Sequence, residues 1–416
     1  MYVMGTAGHV DHGKSTLVIA LSGIDPDRLP EEKARGMTID LGFAWMTTDS
    51  GETIGIIDVP GHERLVKNMI AGVGALDFVL LIVAADDGWM PQSAEHLAIL
   101  RFLGVARGIV VITKIDGVDP DWLELVRSDV TEQVRGSFLE DAPIIAVDSV
   151  SHTGLDELRA AIDTVTQSLT PRRDIGSPRL YIDRVFTIAG RGAVVTGTLI
   201  DGSLSVGRPI AIEPGGISGR VRDLQVHKQH VEQAAPGQRV AVNFSGVDLA
   251  QLSRGQCVVA EGGVETVDRL WVDVSIWSDA VQPLRPGRQV LVMLGTSEPE
   301  ATAYPVGAAA IASGHNGLCE LRLKEPIVAR LKDRFVLRWP TPQVTIGGGE
   351  VIDLGGTRRS HRDAHFIASL RGRIAGDLPA YRRSELTKNG FAPRVSFLNN
   401  GPWSADAIAS DLTAGI

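Results

Sequence analysis

Close to the start of the chain, residues 8–15 have the sequence G-H-V-D-H-G-K-S, which fits the phosphate-loop pattern G-x-x-x-x-G-K-[ST]. Glycines in such a loop let backbone N–H groups close around phosphate oxygens, and the N-terminus of the following helix adds positive potential. The Lys14 ammonium would neutralise the β- and γ-phosphates of a nucleotide, and the Ser15 hydroxyl would ligate Mg²⁺. The predicted nucleotide contacts in this segment are Asp11, His12, Gly13, Lys14, Ser15 and Thr16.

A second motif, T-K-I-D at residues 113–116, ends an apolar run and predicts which base is bound. It resembles the guanine-specificity pattern N-K-x-D, with a threonine in place of the usual asparagine. The aspartate of that pattern accepts hydrogen bonds from the guanine N1–H and 2-amino group, a pair that adenine does not present. A loop at residues 148–150 would add backbone contacts to the guanine O6. The predicted base contacts are Thr113, Lys114, Asp116, Ser149 and Val150, and the predicted cofactors are GTP or GDP with Mg²⁺.

Between these motifs lies D-V-P-G-H at residues 58–62. Asp58 would hold Mg²⁺ through a water molecule, and the Gly61 N–H would bond the γ-phosphate, a contact present with GTP and absent with GDP. His62 would place the attacking water in line, as the catalytic residue of a GTPase. Upstream, Thr38 in R-G-M-T-I-D is placed to supply a second hydroxyl to Mg²⁺. The predicted metal-site residues are therefore Ser15, Thr38 and Asp58.

The elements around these motifs predict a parallel α/β sheet. Apolar runs at residues 53–59, 78–84 and 108–113 are typical of buried strands, and segments of helical period, such as 15–21 and 93–103, lie between strands. Strands that alternate with helices form a doubly wound sheet. Ligands bind such sheets at the carboxyl ends of the strands, where all the motifs above lie.

The pattern changes at a polar, proline-bounded linker, residues 171–178. Short alternating runs separated by Gly, Pro and Asp turns follow, which is typical of antiparallel β-barrels. The sequence therefore predicts a multidomain protein. Its predicted parts are an α/β P-loop GTPase domain (1–172), two antiparallel β-barrel domains (173–264 and 265–357) and a short, partly helical C-terminal segment (358–416).

The composition is that of a globular protein, with 44% hydrophobic and 22% charged residues and a net charge of −9. This acidity disfavours a protein that coats nucleic acid through charge alone. The charge is uneven, because residues 358–416 carry nine basic and five acidic side chains, which predicts a solvated basic face or an RNA contact.

The first residues lack a signal-peptide pattern, and the two cysteines lack ligand spacing. A reducing cytoplasm is expected, without a membrane partner.

Several motifs resemble those of the translational GTPases, among them G-H-V-D-H-G-K-S, D-V-P-G-H and N-M-I-A-G at residues 68–72. Within that group, longer stretches resemble the selenocysteine-specific elongation factors, in which T-K-I-D is also common. These stretches are G-M-T-I-D-L-G-F-A at 36–44, D-V-P-G-H-E-R-L-V-K-N-M at 58–69 and A-A-D-D-G-W-M-P-Q-S-A-E-H-L at 84–97. In the barrels, G-R-G-A-V-V-T-G-T at 190–198 resembles the family's second domain, and T-I-G-G-G-E-V-I-D at 345–353 its closing third-domain strand.

The resemblance implies a factor that binds selenocysteinyl-tRNA with GTP, delivers it to the ribosome at recoded UGA codons and hydrolyses GTP on codon recognition. It also implies a selenocysteine pocket in the second domain, with Asp183, Arg184 and Arg239 at the matching positions. A selenol is anionic at neutral pH, so guanidinium groups would favour it over a neutral serine hydroxyl. A structural ion pair on a barrel strand is the alternative role for these residues.

Members of this family usually continue into winged-helix modules that bind an mRNA hairpin. Residues 358–416 are predicted to be a basic linker or the start of a truncated winged-helix region, which 361–376 and 381–386 could begin. The modules for an mRNA hairpin are therefore not complete in this chain.

Three other functions also fit the motifs. A general aminoacyl-tRNA or initiator-tRNA carrier, such as the γ subunit of an initiation factor, would differ in the aminoacyl group that it selects. The GTPase subunit of a sulfate-activating enzyme would need a partner subunit and no tRNA. A nucleotide-dependent regulatory protein would capture its partners without stimulation by the ribosome.

Overall fold

The computed structural model describes residues 2–27, 38, 40–62, 65–74, 76–188, 192–264, 266–355, 363–374, 376–389 and 401–414. These residues belong to two units, Met1–Pro171 and Arg172–Ile416. Parts of four sequence motifs lie outside the described residues, namely 35–37 and 39, 63–64, 190–191 and 361–362. Among the described helices, none is both long and apolar enough to span a membrane.

The first unit is a single sheet with helices between its strands. The strands are β1 (Tyr2–Gly8), β2 (Gly42–Thr47), β3 (Thr53–Asp58), β4 (Phe78–Ala84), β5 (Gly108–Thr113) and β6 (Ile144–Ala146). The helices are α1 (Lys14–Ser22), α2 (Val66–Val73), α3 (Pro91–Phe102), α4 (Pro120–Val134) and α5 (Leu155–Ser168). The strand order is β2-β3-β1-β4-β5-β6, and only the β2–β3 pair is antiparallel.

The burial of these strands explains why they form a parallel sheet. Every residue of β1, β4 and β5 is buried, as expected for strands covered by helices on both faces. The chain leaves β1 for β2 and β3 on one side and then crosses to β4 on the other. The order therefore reverses at β1, and the crevice at its carboxyl end is where open α/β sheets bind ligands.

The second unit begins with an antiparallel barrel. Its strands are β7 (Arg179–Tyr181), β8 (Arg184–Ile188), β9 (Gly192–Ile200), β10 (Leu204–Ser205), β11 (Pro209–Glu213), β12 (Ile217–Val226), β13 (Gln229–His230), β14 (Gln233–Ala234), β15 (Arg239–Ser245) and β16 (Cys257–Ala260). Six of them close a ring in the order β11-β16-β7-β9-β15-β12, since β12 also pairs with β11. Inward residues such as Val195, Ile210 and Val242 fill its core.

A second closed barrel follows, with strands β17 (Thr266–Ile276), β18 (Arg288–Met293), β19 (Glu300–Pro305), β20 (Asn316–Val328), β21 (Arg334–Arg338) and β22 (Thr345–Leu354). The strand order is β17-β20-β19-β18-β21-β22. In β22, a Cβ on Gly347 or Gly349 would overlap backbone carbonyls of the neighbouring β17. The glycine run of this strand therefore permits a close approach of two backbones.

The two barrels are joined by buried ion pairs. Arg179 and Arg330 are 3% and 1% exposed, and both contact Asp201. Arg179 also donates to both carboxylate oxygens of Asp333, at 2.6 and 2.7 Å. Because such charges are costly to bury unless they are paired, this network holds the barrels in one arrangement.

The described part of the C-terminal segment is helical and packs on the second barrel. Its helices are α6 (Ala364–Arg371), α7 (Leu378–Asn389) and α8 (Ala405–Ala414). Phe366 of α6 meets the Trp271 ring edge-to-face at 4.7 Å. The predicted fold class, an α/β domain followed by two antiparallel barrels and a partly helical C-terminal segment, is thus confirmed. Strands β2 and β6 were not among the predicted elements.

Candidate functional site

The phosphate loop connects the end of β1 to the start of α1, as the motif predicts. Gly8 and Gly13 have φ angles of 136° and 80°, which L-residues with side chains rarely adopt. A Cβ on Gly8 would also overlap the Ile82 carbonyl. Asp11, with φ of 62°, is exposed at the tip of the loop, and Thr16 is exposed on α1. The glycines are therefore required by the shape of the loop.

Lys14 folds back over this loop. Its ammonium donates to the carbonyl oxygens of Gly8 and His9, at 3.1 and 2.5 Å, and the residue is only 6% exposed. Burial lowers the pKa of Lys14 to about 8, and the nearby Asp58 carboxylate opposes that shift. The lysine is thus a buried cation at the point where the loop would surround phosphate oxygens.

The three residues predicted to hold Mg²⁺ lie in one cluster. The Ser15 and Thr38 hydroxyl oxygens are 2.8 Å apart, and Ser15 donates to Asp58 at 2.7 Å. The Thr6 hydroxyl binds the other Asp58 carboxylate oxygen at 2.6 Å. Burial raises the pKa of Asp58, while hydrogen bonds from Thr6 and Ser15 and the charge of Lys14 lower it. Hydroxyl and carboxylate oxygens are the hard ligands that Mg²⁺ prefers, so this donor set fits the ion.

Asp27 also joins this cluster, although no sequence pattern singled it out. Its carboxylate accepts a hydrogen bond from the Thr38 hydroxyl at 2.9 Å. It lies after α1, where its acidic side chain looks like any other in a polar loop. The fold thus adds a second carboxylate, that of Asp27, to the cluster, and only the three-dimensional structure reveals it.

The D-V-P-G-H turn lies against the phosphate loop. A Cβ on Gly61 would overlap the Lys14 ammonium and would lie 2.6 Å from the Val10 nitrogen, so only a hydrogen fits there. The half-buried His62 follows, and its carbonyl accepts the Leu65 N–H at 2.8 Å. The turn is therefore close enough to the loop for Gly61 to meet a phosphate that the loop holds.

The base-specificity motif is tied directly to the phosphate loop. The Thr113 hydroxyl donates to the His12 carbonyl at 2.8 Å. Lys114 has a left-handed φ of 57° and its ammonium binds Asp86 at 2.9 Å. The Asp116 carboxyl shares a hydrogen bond with that of Asp148, and this bond raises the pKa of Asp116.

Asp148 shapes the companion loop. Its carboxylate accepts the Val150 and Ser151 N–H groups at 2.9 and 2.6 Å, and the Ser151 bond lowers the pKa of Asp148. The Val150 side chain is 80% exposed, so only its backbone belongs to the site. Ser149 stands between them on the same turn. The structure thus brings the two base-contact segments together at the ends of β5 and β6.

In the first barrel, two of the three predicted pocket residues form an ion pair. Both Arg239 terminal nitrogens donate to the Asp183 carboxylate, one of them at 3.0 Å. Thr196, which sequence reasoning did not single out, donates to Asp183 at 2.7 Å and accepts from Arg239 at 3.0 Å. Arg184 is the next residue in the chain, half-buried on β8 and paired in register with Thr196.

Comparisons with known proteins match three domain families along the chain. Residues 1–168 match the Elongation factor Tu GTP binding domain, and 192–259 match Elongation factor Tu domain 2. Residues 272–358 match the beta-barrel domain of the Selenocysteine-specific elongation factor.

Individual proteins similar to this chain are also described as selenocysteine-specific elongation factors. A selenocysteine-specific elongation factor of Desulfomicrobium baculatum is 43% identical over 88% of this chain and 58% of its own length. That of Methanocaldococcus jannaschii is 33% identical over 85% of this chain and 80% of its own length. A crystal structure of bacterial selenocysteine-specific elongation factor EF-Sec matches 97% of this chain and 66% of its own, with a TM-score of 0.85 and 30% identity. The chain thus spans 58% of the length of the Desulfomicrobium relative.

Proposed function

The chain belongs to the selenocysteine-specific elongation factors, and on that premise we propose that it is a GTPase that carries selenocysteinyl-tRNA to the ribosome. In this proposal it binds GTP with Mg²⁺, delivers the tRNA at recoded UGA codons and hydrolyses GTP on codon recognition. The cytoplasm, where ribosomes translate, is its proposed location. An mRNA hairpin is a further proposed partner.

The observation that carries the proposal is the cluster of Ser15, Thr38 and Asp58. These residues come from the phosphate loop, the segment before β2 and the end of β3. The Ser15 hydroxyl oxygen nevertheless lies 2.8 Å from that of Thr38 and 2.7 Å from the Asp58 carboxylate. Mg²⁺ bound there would neutralise charge on the β- and γ-phosphates. The segments that carry Thr38 and Asp58 would then both be held near the γ-phosphate. Loss of that phosphate would release them, so the nucleotide state would change their conformation.

In this proposal, GTP hydrolysis depends on how the protein groups are positioned around the γ-phosphate. Lys14 would stabilise the developing phosphate charge, the Gly61 N–H would bond the γ-phosphate, and His62 would orient the attacking water. The predicted base contacts Thr113, Lys114, Asp116, Ser149 and Val150 would select guanine. Removing the His62 imidazole should therefore slow hydrolysis and leave GTP affinity nearly unchanged.

The ion pair of the first barrel supports a selenocysteine site. Asp183 and Thr196 hold the Arg239 guanidinium in one orientation, and Arg184 follows Asp183 in the chain, in backbone register with Thr196. A preorganised cationic site favours an anion, and the selenolate is anionic where a serine hydroxyl is neutral. This supports discrimination between the two aminoacyl groups at the barrel.

Protection of the aminoacyl ester tests this function. Selenocysteinyl-tRNA and seryl-tRNA, on the same tRNA, are incubated with the protein and either a GTP analogue or GDP, and ester hydrolysis is followed. We expect slow hydrolysis only for the selenocysteinyl ester and only with the GTP analogue. The variant Arg239→Ala should lose this selectivity, while Arg222→Ala, which removes an exposed arginine of the same barrel, should keep it.

The alternatives predict other results. Equal protection of both esters would identify a general aminoacyl-tRNA carrier and would leave the Asp183–Arg239 pair a structural role. Binding of GTP without protection of either ester would favour the sulfate-activating or regulatory functions.

A further inference from the structure

Helix α3 lies against the phosphate loop through two side chains of its N-terminal half. Gln92 and His96 are four residues apart and therefore project from the same face of the helix. The Gln92 side-chain oxygen accepts the Val10 N–H at 3.3 Å, and His96 Nδ1 accepts the Gly8 N–H at 3.0 Å. Both residues belong to the 84–97 stretch, to which the nucleotide chemistry above gives no role.

The protonation state of His96 suits this contact. Because its Nδ1 accepts a hydrogen bond, that nitrogen must carry a lone pair, so the proton of the neutral ring lies on Nε2. The residue is fully buried, and burial, with the nearby charges of Lys14 and His9, lowers the pKa of His96 to about 3. The ring is therefore neutral at ordinary pH. Within the part of the chain that the structure describes, its hydrogen bond to Gly8 is the only one that it makes.

The loop needs such restraints, because its backbone is held in unusual conformations. Gly8, Asp11 and Gly13 all have φ angles between 62° and 136°. A flexible loop of this kind would lose conformational freedom when it closes around phosphate, at a cost to affinity. The bonds to α3 turn the Gly8 and Val10 N–H groups toward the helix, so they fix the orientation of the two peptide planes that carry these groups.

We infer that Gln92 and His96 are positioning residues for nucleotide binding, which act by fixing the backbone of the phosphate loop from helix α3. This inference rests on the proposed binding of guanine nucleotides. It concerns GDP and GTP alike, since both place phosphates in the loop. Neither side chain needs to touch the nucleotide.

Two substitutions at His96 separate positioning from packing. His96→Leu removes the acceptor and keeps an apolar side chain, whereas His96→Asn places an amide oxygen where Nδ1 lies. Fluorescent GDP and GTP analogues give the dissociation constant and the dissociation rate. We expect His96→Leu to weaken both nucleotides about tenfold, mainly through faster dissociation, since a buried N–H is left unpaired. His96→Asn should remain within about threefold of the unsubstituted protein.

A matched control distinguishes this role from general destabilisation. Ile99→Ala removes a fully buried side chain of the same helix that has no polar atom to bond the loop. It should lower the melting temperature without changing nucleotide dissociation. If His96→Leu fails to fold, Gln92→Leu at the half-buried first turn carries the test, with dissociation about threefold faster.

The outcomes distinguish this inference from the function on which it rests. Failure of the unsubstituted protein to bind any guanine nucleotide would refute the proposed function. Tight binding by that protein, with dissociation unchanged in His96→Leu and Gln92→Leu, would overturn the positioning role alone.

Discussion

The Thr113 hydroxyl donates a 2.8 Å hydrogen bond to the His12 carbonyl, which joins the end of β5 to the phosphate loop. The two residues are 2% and 0% exposed. A threonine at this position thus reaches the loop backbone directly, so the segments proposed to bind base and phosphate are joined by a hydrogen bond.

Replacing this hydroxyl should weaken nucleotide binding without changing the choice of base. Thr113→Val keeps the shape of the side chain but leaves the buried His12 carbonyl without its donor, at a cost of about 1–3 kcal/mol. Titration with fluorescent GDP should give a dissociation constant roughly ten times larger, while preference for guanine over adenine persists through Asp116. Thr113→Asn, whose amide can donate to the same carbonyl, should restore most of the affinity. Unchanged affinity in Thr113→Val would show that this bond is dispensable.

The proposed Mg²⁺ site predicts that the Thr38 and Ser15 hydroxyl groups respond differently to nucleotide state. Thr38→Ala should weaken Mg²⁺-dependent binding of a GTP analogue about tenfold and leave GDP nearly unaffected, since Thr38 is proposed to meet the ion only with the γ-phosphate present. Ser15→Ala should weaken both nucleotides. Titration with Mg²⁺ at fixed nucleotide measures these effects. The control is Thr47→Ala, which removes an exposed hydroxyl at the end of β2. Equal losses for both nucleotides in Thr38→Ala would contradict the assignment.

Local patterns predicted the core of the first unit, but not its edges. The runs that became β3, β4 and β5 were predicted within one residue at each end, because each is apolar and bounded by turns. Strand β2 was missed because it belongs to the motif-bearing segment and lies at the sheet edge, where β3 is its only partner among the described strands. Strand β6 was missed because three residues give no period.

In the candidate functional site too, the sequence predicted residues in local motifs but not residues whose partners are distant in the chain. Glycine, lysine and aspartate motifs predicted which residues would bind phosphate and base, because the chemistry of these motifs is local. Asp27, His96 and Thr196 gave no such signal, because their partners come from other parts of the chain. His96 lies 88 residues from Gly8, and Thr196 lies 43 residues from Arg239. Such contacts follow from strand order and register, which no single-sequence pattern specifies.

The proposed selenocysteine site in the first barrel predicts that Thr196 supports selectivity between the two aminoacyl groups. Thr196→Val removes the hydroxyl that joins Asp183 to Arg239 and leaves an isosteric apolar side chain. We expect selectivity for the selenocysteinyl ester over the seryl ester to fall about tenfold, because the guanidinium loses one of its restraints. Thr196→Ser should retain most of it. The measurement is ester protection on both aminoacyl-tRNAs, and nucleotide affinity should not change.

The two thiols are expected to resist modification in the folded protein. Cys257 and Cys319 are 0% and 1% exposed. Burial raises the pKa of Cys257 to about 12 and also raises the pKa of Cys319. A disulfide reagent at pH 8 should therefore label neither thiol in the native protein and both after denaturation. Rapid labelling of the native protein would contradict this burial.

The same shifts give stability a pH dependence with a definite sign. Between pH 9 and 12 the Cys257 thiol ionises in the unfolded chain and stays protonated in the folded one, so the unfolded state binds fewer protons. The free energy of unfolding therefore falls as pH rises through this window. Denaturant titrations at several pH values measure the slope, and Cys257→Ala should make it shallower.

The buried ion pairs of Arg373 join the C-terminal helices α6 and α7 to the second barrel. The residue is 1% exposed, and its guanidinium contacts Asp353 of β22 at 2.9 Å, Glu385 of α7 at 2.5 Å and the Ser384 hydroxyl at 2.8 Å. Removing one partner of a buried ion pair leaves an uncompensated charge, which costs about 3–5 kcal/mol. Arg373→Met should therefore loosen α6 and α7 from the second barrel.

Limited proteolysis and thermal unfolding test this together. In Arg373→Met we expect rapid cleavage within residues 363–414 and a lowered melting temperature, while nucleotide affinity stays unchanged because the first unit has its own core. Arg383→Met removes an exposed arginine of α7 and should behave like the unsubstituted protein. A proteolytic pattern in Arg373→Met that matches this control would show that the apolar contact between Trp271 and Phe366 is enough to hold the segment.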